Sequence, residues 1–302
     1  MKFFLIFLCI YGSLLSGPIT PIPLNMKVDD KKVALGAELF SDTLLSKDDT
    51  VSCATCHDLY NGGDDGLKFS FGIDGQEGDI NSPTVYNSVF NFRQFWNGRA
   101  KDLQDQAAGP IENPIEMGNT FENLIKVLNK SPYKDKFDAI YEDGITKKNI
   151  TNAIAEFEKT LITPESPFDK YLRGDLLAIT QEQKDGYELF KVKGCIACHH
   201  GVNIGGNLYN KFGVMQRLNS KRLGRYEVTN KELDKYYFKV PSLRNIAQTS
   251  PYLHDGRYEK LEDVVKFMSR YQLGRVTSQQ EIQKIVAFLN ALSGEIPKSL
   301  KR

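Results

Sequence analysis

The pentapeptide Cys-x-x-Cys-His occurs twice, at Cys53, Cys56 and His57 and again at Cys195, Cys198 and His199. Nothing else in the chain restricts its fold so strongly. The sequence holds five cysteines and four histidines. Cys9 falls in an apolar leader, so the other four cysteines are all used in the two motifs and none is left for a structural disulfide. A redox dithiol or half a zinc site would use the paired thiols but would not explain the adjacent histidines. Covalent c-type haem uses every member: two thiols at i and i+3 add to the two vinyl groups, and the next imidazole reaches the iron. The motifs therefore predict two covalently bound haem c groups, with His57 and His199 as fixed iron ligands.

Haem c attachment follows export, and the N-terminus agrees. Residues 1–17 read as one lysine, an apolar run too short to span a bilayer, and small residues, the layout of a secretory signal peptide. The flanking pattern also allows an uncleaved anchor. A periplasmic location follows. The formal net charge of the 302 residues is +1, which gives no reason to expect a nucleic-acid partner.

The approaches to the motifs are alike: GAELF (36–40) precedes the first and GYELF (186–190) the second. Each suits a helix packed against a haem, which makes the chain an internal repeat of a cytochrome c unit. Ile282, Ile285, Val286, Leu289 and Leu292 form one helical stripe near the C-terminus. Ile150, Ile154, Phe157 and Leu161 form another near the end of the first unit. Between them, TPESPFDKYLRG (163–174) carries two prolines and a glycine and reads as a linker. The expected fold is mainly α: two cytochrome c-like haem domains at 18–163 and 175–302, a linker at 164–174, and long loops over the second haem at 201–250.

A strong sixth ligand makes a haem an electron carrier, whereas an open position makes it a site for peroxide or oxygen. Beyond the motif histidines, the candidates are His200, His254, Met117, Met215 and Met268. Met268 lies just before the C-terminal helix, where a cytochrome c unit supplies its axial thioether. The alternative is a flexible core filler. A thioether raises the potential and suits the second haem to receive electrons.

Further strings extend the pattern: NSPTVYNSVFN, QFWNGRAKDLQDQAAGPIENPIEMGN, GVNIGG, VPSLRNIAQTSPYLHDG and a QLG before the last helix. In this order, over residues 35–295, the chain resembles the bacterial di-haem cytochrome c peroxidases. The resemblance implies that hydrogen peroxide is reduced at the N-terminal haem, with electrons arriving at the C-terminal one. It implies a small cytochrome c or cupredoxin as donor, and a homodimer. By position, Glu116 matches the family's distal acid, Gln106 its polar neighbour, and Trp96 the residue between the haems. His254 matches a histidine near the haem interface, and Asn81, Thr249 and Pro251 match a calcium site. A carboxylate makes chemical sense there, since cleaving peroxide needs a proton moved from one oxygen to the other. By residue type alone, a glutamate is far more often a solvated surface group.

The chain departs from the resemblance at one place. Many members carry an iron-binding histidine in the loop before NSPT, where this sequence has Ile73. The expectation is a first haem that is open at rest and needs no reductive activation. Two alternatives stay in view: a non-catalytic di-haem carrier, with Met117 as sixth ligand of the first haem, and a related di-haem oxidase acting on a partner protein. In the best-known oxidase a tyrosine replaces the C-terminal axial methionine, which is present here.

Overall fold

The structure is a computed structural model that describes residues 17–218 and 220–301. The expected leader up to Ser16, including Cys9, lies outside the described residues.

Each haem motif follows an approach helix, Asp30–Ser41 in the first half and Gln181–Val192 in the second. Each approach helix crosses a closing helix, Lys147–Glu158 or Gln279–Asn290, and the same device sets both crossings. A Cβ on Gly36 would stand 1.9 Å from the Ala153 carbonyl oxygen, and one on Gly186 would stand 1.9 Å from that of Lys284. Only glycine lets the two backbones approach so closely. Beside each glycine the aromatic packing also repeats: Phe40 lies edge-on to Phe157 at 5.4 Å, and Phe190 packs at 5.2 Å from Phe288. Side-chain caps fix where these helices begin. Asp29 accepts from Lys31 and Lys32, and Thr146 from Asn149; Thr180 with Gln183 and Ser278 with Glu281 form reciprocal capping boxes.

The apolar stripes read from the sequence are the buried faces of the closing helices, with Leu161 and Leu292 buried just beyond their ends. Two core clusters result. One gathers residues from Leu35 to Leu161, and the other gathers Phe168 to Leu292 together with Ile19.

Two stretches differ from expectation. Part of the expected linker forms a helix, Pro167–Leu172, whose Phe168 is fully buried in the second core, 4.9 Å from the Tyr187 ring. Ser166 caps this helix, and proline at its first position is compatible with helical geometry. Residues 18–22, expected in the first unit, lie against the second. The Asp169 carboxylate accepts from the Ile22 N–H and sits 2.9 Å from the Arg244 guanidinium, both side chains fully buried. Arg244 also donates to the Thr20 and Val202 carbonyls. Removing one partner of such a buried pair costs roughly 3–5 kcal/mol.

The 201–250 region is mostly loop, with a two-stranded antiparallel sheet of Tyr209–Lys211 and Tyr237–Lys239. From the second strand, the Lys239 N–H donates to the Trp96 carbonyl. The structure is thus mainly helical, and among the described residues no helix is long and apolar enough to cross a membrane.

Candidate haem sites

Both motifs fold as a single tight turn that presents two thiols and an imidazole to one cavity. At the first, the Cys53–Cys56 helical turn is capped by Ser52 and Thr55, and the His57 N–H closes on the Cys53 carbonyl. The Gly63 carbonyl lies 3.3 Å from His57 Nδ1, and the Ile204 carbonyl lies 3.3 Å from His199 Nδ1. A carbonyl can only accept, so each Nδ1 carries the proton and each Nε2 is free to bind iron. Burial holds both imidazoles below their ordinary pKa, His199 at about 4, so both are neutral as ligands must be. Burial also pushes the thiols up: Cys53 to about 12, Cys56 and Cys195 to about 11. A redox dithiol needs the opposite shift.

The first cavity measures about 570 Å³, within the range of cofactor pockets. Cys53, Cys56 and His57 lie on its wall together with Gln106, Glu116 and Trp96. The second is a narrower slot of about 140 Å³ lined by Cys195, Cys198, His199, Met268, His254 and again Trp96. Here the donor set, two thiols, an imidazole and a thioether, is what fits a six-coordinate haem c. Met268 opens a five-residue π-helical turn, Met268–Gln272, which ends the helix Leu261–Phe267. Such turns commonly re-aim a side chain at a functional site.

Glu116 is half-buried and held by its neighbours. Asn113 Nδ2 donates to its Oε1 at 2.6 Å, and the Glu116 N–H closes the turn on the Asn113 carbonyl. Burial raises its pKa, while the Arg99 guanidinium and the Asn113 amide oppose the rise. Arg99 lines the same cavity, its guanidinium 3.3 Å from the Phe95 ring centre. The sequence reading missed Arg99 and Asn113. The FWNGRA string and the asparagine three residues before the acid were the available signals.

Ile73 is buried, and its N–H donates to the Glu116 carbonyl. Its Cδ1 packs on Gly118, where a Cβ would stand only 2.2 Å away. Gln76 ties the same loop to the Pro114 carbonyl. The loop thus braces the acid. Met117 is also buried, at the cavity wall, with its backbone fixed at both ends by Pro110 and Lys47.

Trp96 Nε1 donates to the Asn81 carbonyl at 2.8 Å, and its ring stands 6.1 Å from that of His254. His254 stacks on Phe238 at 4.4 Å, with Nε2 3.0 Å from Ser220 Oγ; burial lowers its pKa to about 4. Asn81 is buried and donates its amide to the Leu67 carbonyl and its N–H to that of His254. Thr249 and Pro251 stand at the start of the turn that carries His254, the Thr249 hydroxyl donating to the Ile246 carbonyl.

Paired Cys-x-x-Cys-His pockets in one helical chain, one facing a half-buried acid and the other a thioether, define a di-haem c-type oxidoreductase. Residues 30–176 match the family described as di-haem cytochrome c peroxidase. Over 284 residues the chain is 50% identical to cytochrome c peroxidase Ccp of Escherichia coli, covering 92% of this chain and 61% of that longer protein. It is 48% identical to the cytochrome c551 peroxidase of Nitrosomonas europaea, covering 93% of this chain and 85% of that one. The fold matches the crystal structure of a MauG-like protein associated with microbial copper homeostasis, with TM-score 0.80, 24% identity, and 94% and 95% of the two chains covered. The chain belongs to the di-haem cytochrome c peroxidase family and is an enzyme of that class.

Proposed function

We propose that the chain reduces hydrogen peroxide to water in the periplasm, with electrons from a small cytochrome c or cupredoxin. The observation that carries this reading is Glu116, half-buried on the wall of the cavity that Cys53, Cys56 and His57 also line. Haem supplies a redox-active iron in each cavity, held by Cys53, Cys56 and His57 in one and by Cys195, Cys198, His199 and Met268 in the other. Glu116 takes a proton from one peroxide oxygen and gives it to the other, which leaves as water, and two electrons from the donor with two further protons convert the remaining oxygen to a second water. Its raised pKa favours the giving step, and Arg99 with Asn113 keeps the ionised form within reach for the taking step. Gln106 offers an amide to orient the peroxide. Trp96, on the wall of both cavities, lies on the electron path between them.

The Ile73 loop provides no iron ligand and is bound to the Glu116 backbone, which supports a first haem that is open at rest and needs no prior reduction of the second. The carrier alternative needs Met117 sulfur on that iron. Identities of 50% and 48% to named peroxidases favour the enzyme over the carrier and over an oxidase of a partner protein. Packing suggests a first haem unit ending near 163, and a second unit that takes 164–302 together with 18–22. Asn81 and the Thr249 and Pro251 carbonyls are hard oxygen donors suited to one calcium ion, with waters completing its shell.

The test is Glu116→Gln in the haem-loaded protein. Peroxide turnover falls by roughly 10²–10⁴-fold while both haems are retained. Turnover within a few fold of the parent would remove Glu116 from the mechanism.

A further inference from the structure

The chain segments that carry the two haem motifs differ in charge. The 18 residues 48–65 around the first motif include five aspartates and no lysine or arginine, whereas the matching residues 190–207 include two lysines and no acid. The structure extends the contrast at the second site. Arg275 Nη1 donates to the Val192 carbonyl beside Cys195, and Arg270 lies on the same π-helical turn as Met268. Both arginines are exposed, and neither has a carboxylate partner among the described residues. The nearby acids Glu188 and Glu281 are already paired with Lys191 and Lys193. Between these charges lie exposed apolar side chains: Val192 at 66%, Met215 at 60% and Val276 at 95%. Met215 is held over Gly274, with its N–H on the Tyr271 carbonyl.

We infer that this apolar, arginine-rimmed face beside Cys195 is the docking surface for the electron donor, and that the donor is a small redox protein with an apolar electron-exit patch ringed by carboxylates. The inference rests on the electron-receiving role proposed for the second haem. An apolar centre supports close contact, and a rim of one sign steers the partner and sets its orientation. The exposed Asp48, Asp49 and Asp58 beside the first motif repel the same donor from the peroxide site, so charge directs it to one haem of the two.

The test measures electron transfer from a reduced donor to the oxidised di-haem protein by stopped flow, without peroxide. The probes are mitochondrial cytochrome c with its native lysines and the same cytochrome with its lysines succinylated, which reverses the sign of its rim. The succinylated form is expected to react at least about tenfold faster at low ionic strength, with a rate that falls as salt is added. The variant Arg270→Glu/Arg275→Glu should lose that advantage, and Arg270→Glu alone should lose part of it, both with unchanged haem spectra. Faster reaction of the native lysine form, or variants that react like the parent, would overturn the inference. Turnover of peroxide with a small reductant such as ascorbate is read separately. Its absence would count against the peroxidase reading and leave the docking result standing.

Discussion

Glu116 and Glu158 are two acids on the wall of one cavity, and their surroundings give them different fates. Glu116 has Asn113 and Arg99 beside it, so its carboxylate form is accessible. As the proton acceptor it must be ionised. The rate of reaction with peroxide should therefore fall on the acid side at a pH above the ordinary glutamate value, and the Gln variant should lose that limb. A pH profile of kcat/KM for peroxide checks this. Glu158, at the end of the first closing helix, is buried with Oε2 unpartnered, and burial alone raises its pKa to about 8. The folded chain keeps a proton there that the unfolded chain releases above about pH 4.5. Its contribution is intact below that pH and is lost as pH rises through about 8. Glu158→Gln should gain stability over the parent as pH rises from about 5 to 9, by up to about 4 kcal/mol, read as the difference in denaturation midpoints. The two Cys-x-x-Cys-His motifs were legible in the sequence from their spacing, whereas Glu116 was marked only by its position in the family resemblance. Glu158 was not, since one glutamate in a helix shows nothing of its burial.

The approach and closing helices form the repeating element, and their crossing rests on one glycine in each half. Gly186→Ala would drive a methyl group into the Lys284 carbonyl, so the helices must part. Overpacking of this kind costs roughly 1–3 kcal/mol. Gly36→Ala should cost a similar amount through Ala153. Chemical denaturation of each variant checks both, and a cost near zero would mean that the crossing is loose. This element was legible because GAELF and GYELF repeat before each motif and the apolar stripes mark the facing helices. The helix at 167–172 was not, because prolines and glycine signal a break locally while burial of Phe168 and Asp169 decides the outcome from afar. The short strands that hold Trp96 escaped for the same reason.

At the scale of the molecule, Trp96 joins the two halves. It lines both cavities, its Nε1 is fixed on Asn81, and its carbonyl is fixed on the second half through Lys239. Trp96→Phe keeps an aromatic ring but loses the Nε1 hydrogen bond, worth roughly 1 kcal/mol. Electron flow from the second haem to the first should slow, while the first reaction with peroxide is retained; stopped-flow traces at the two haems separate these. The proposed first haem is open beside Glu116 without prior reduction. The most direct measurement is an EPR and visible spectrum of the fully oxidised, haem-loaded protein before and after one equivalent of hydrogen peroxide. The expected result is a high-spin ferric signal from one haem that disappears at once on adding peroxide. Two low-spin haems that peroxide leaves unchanged would contradict it.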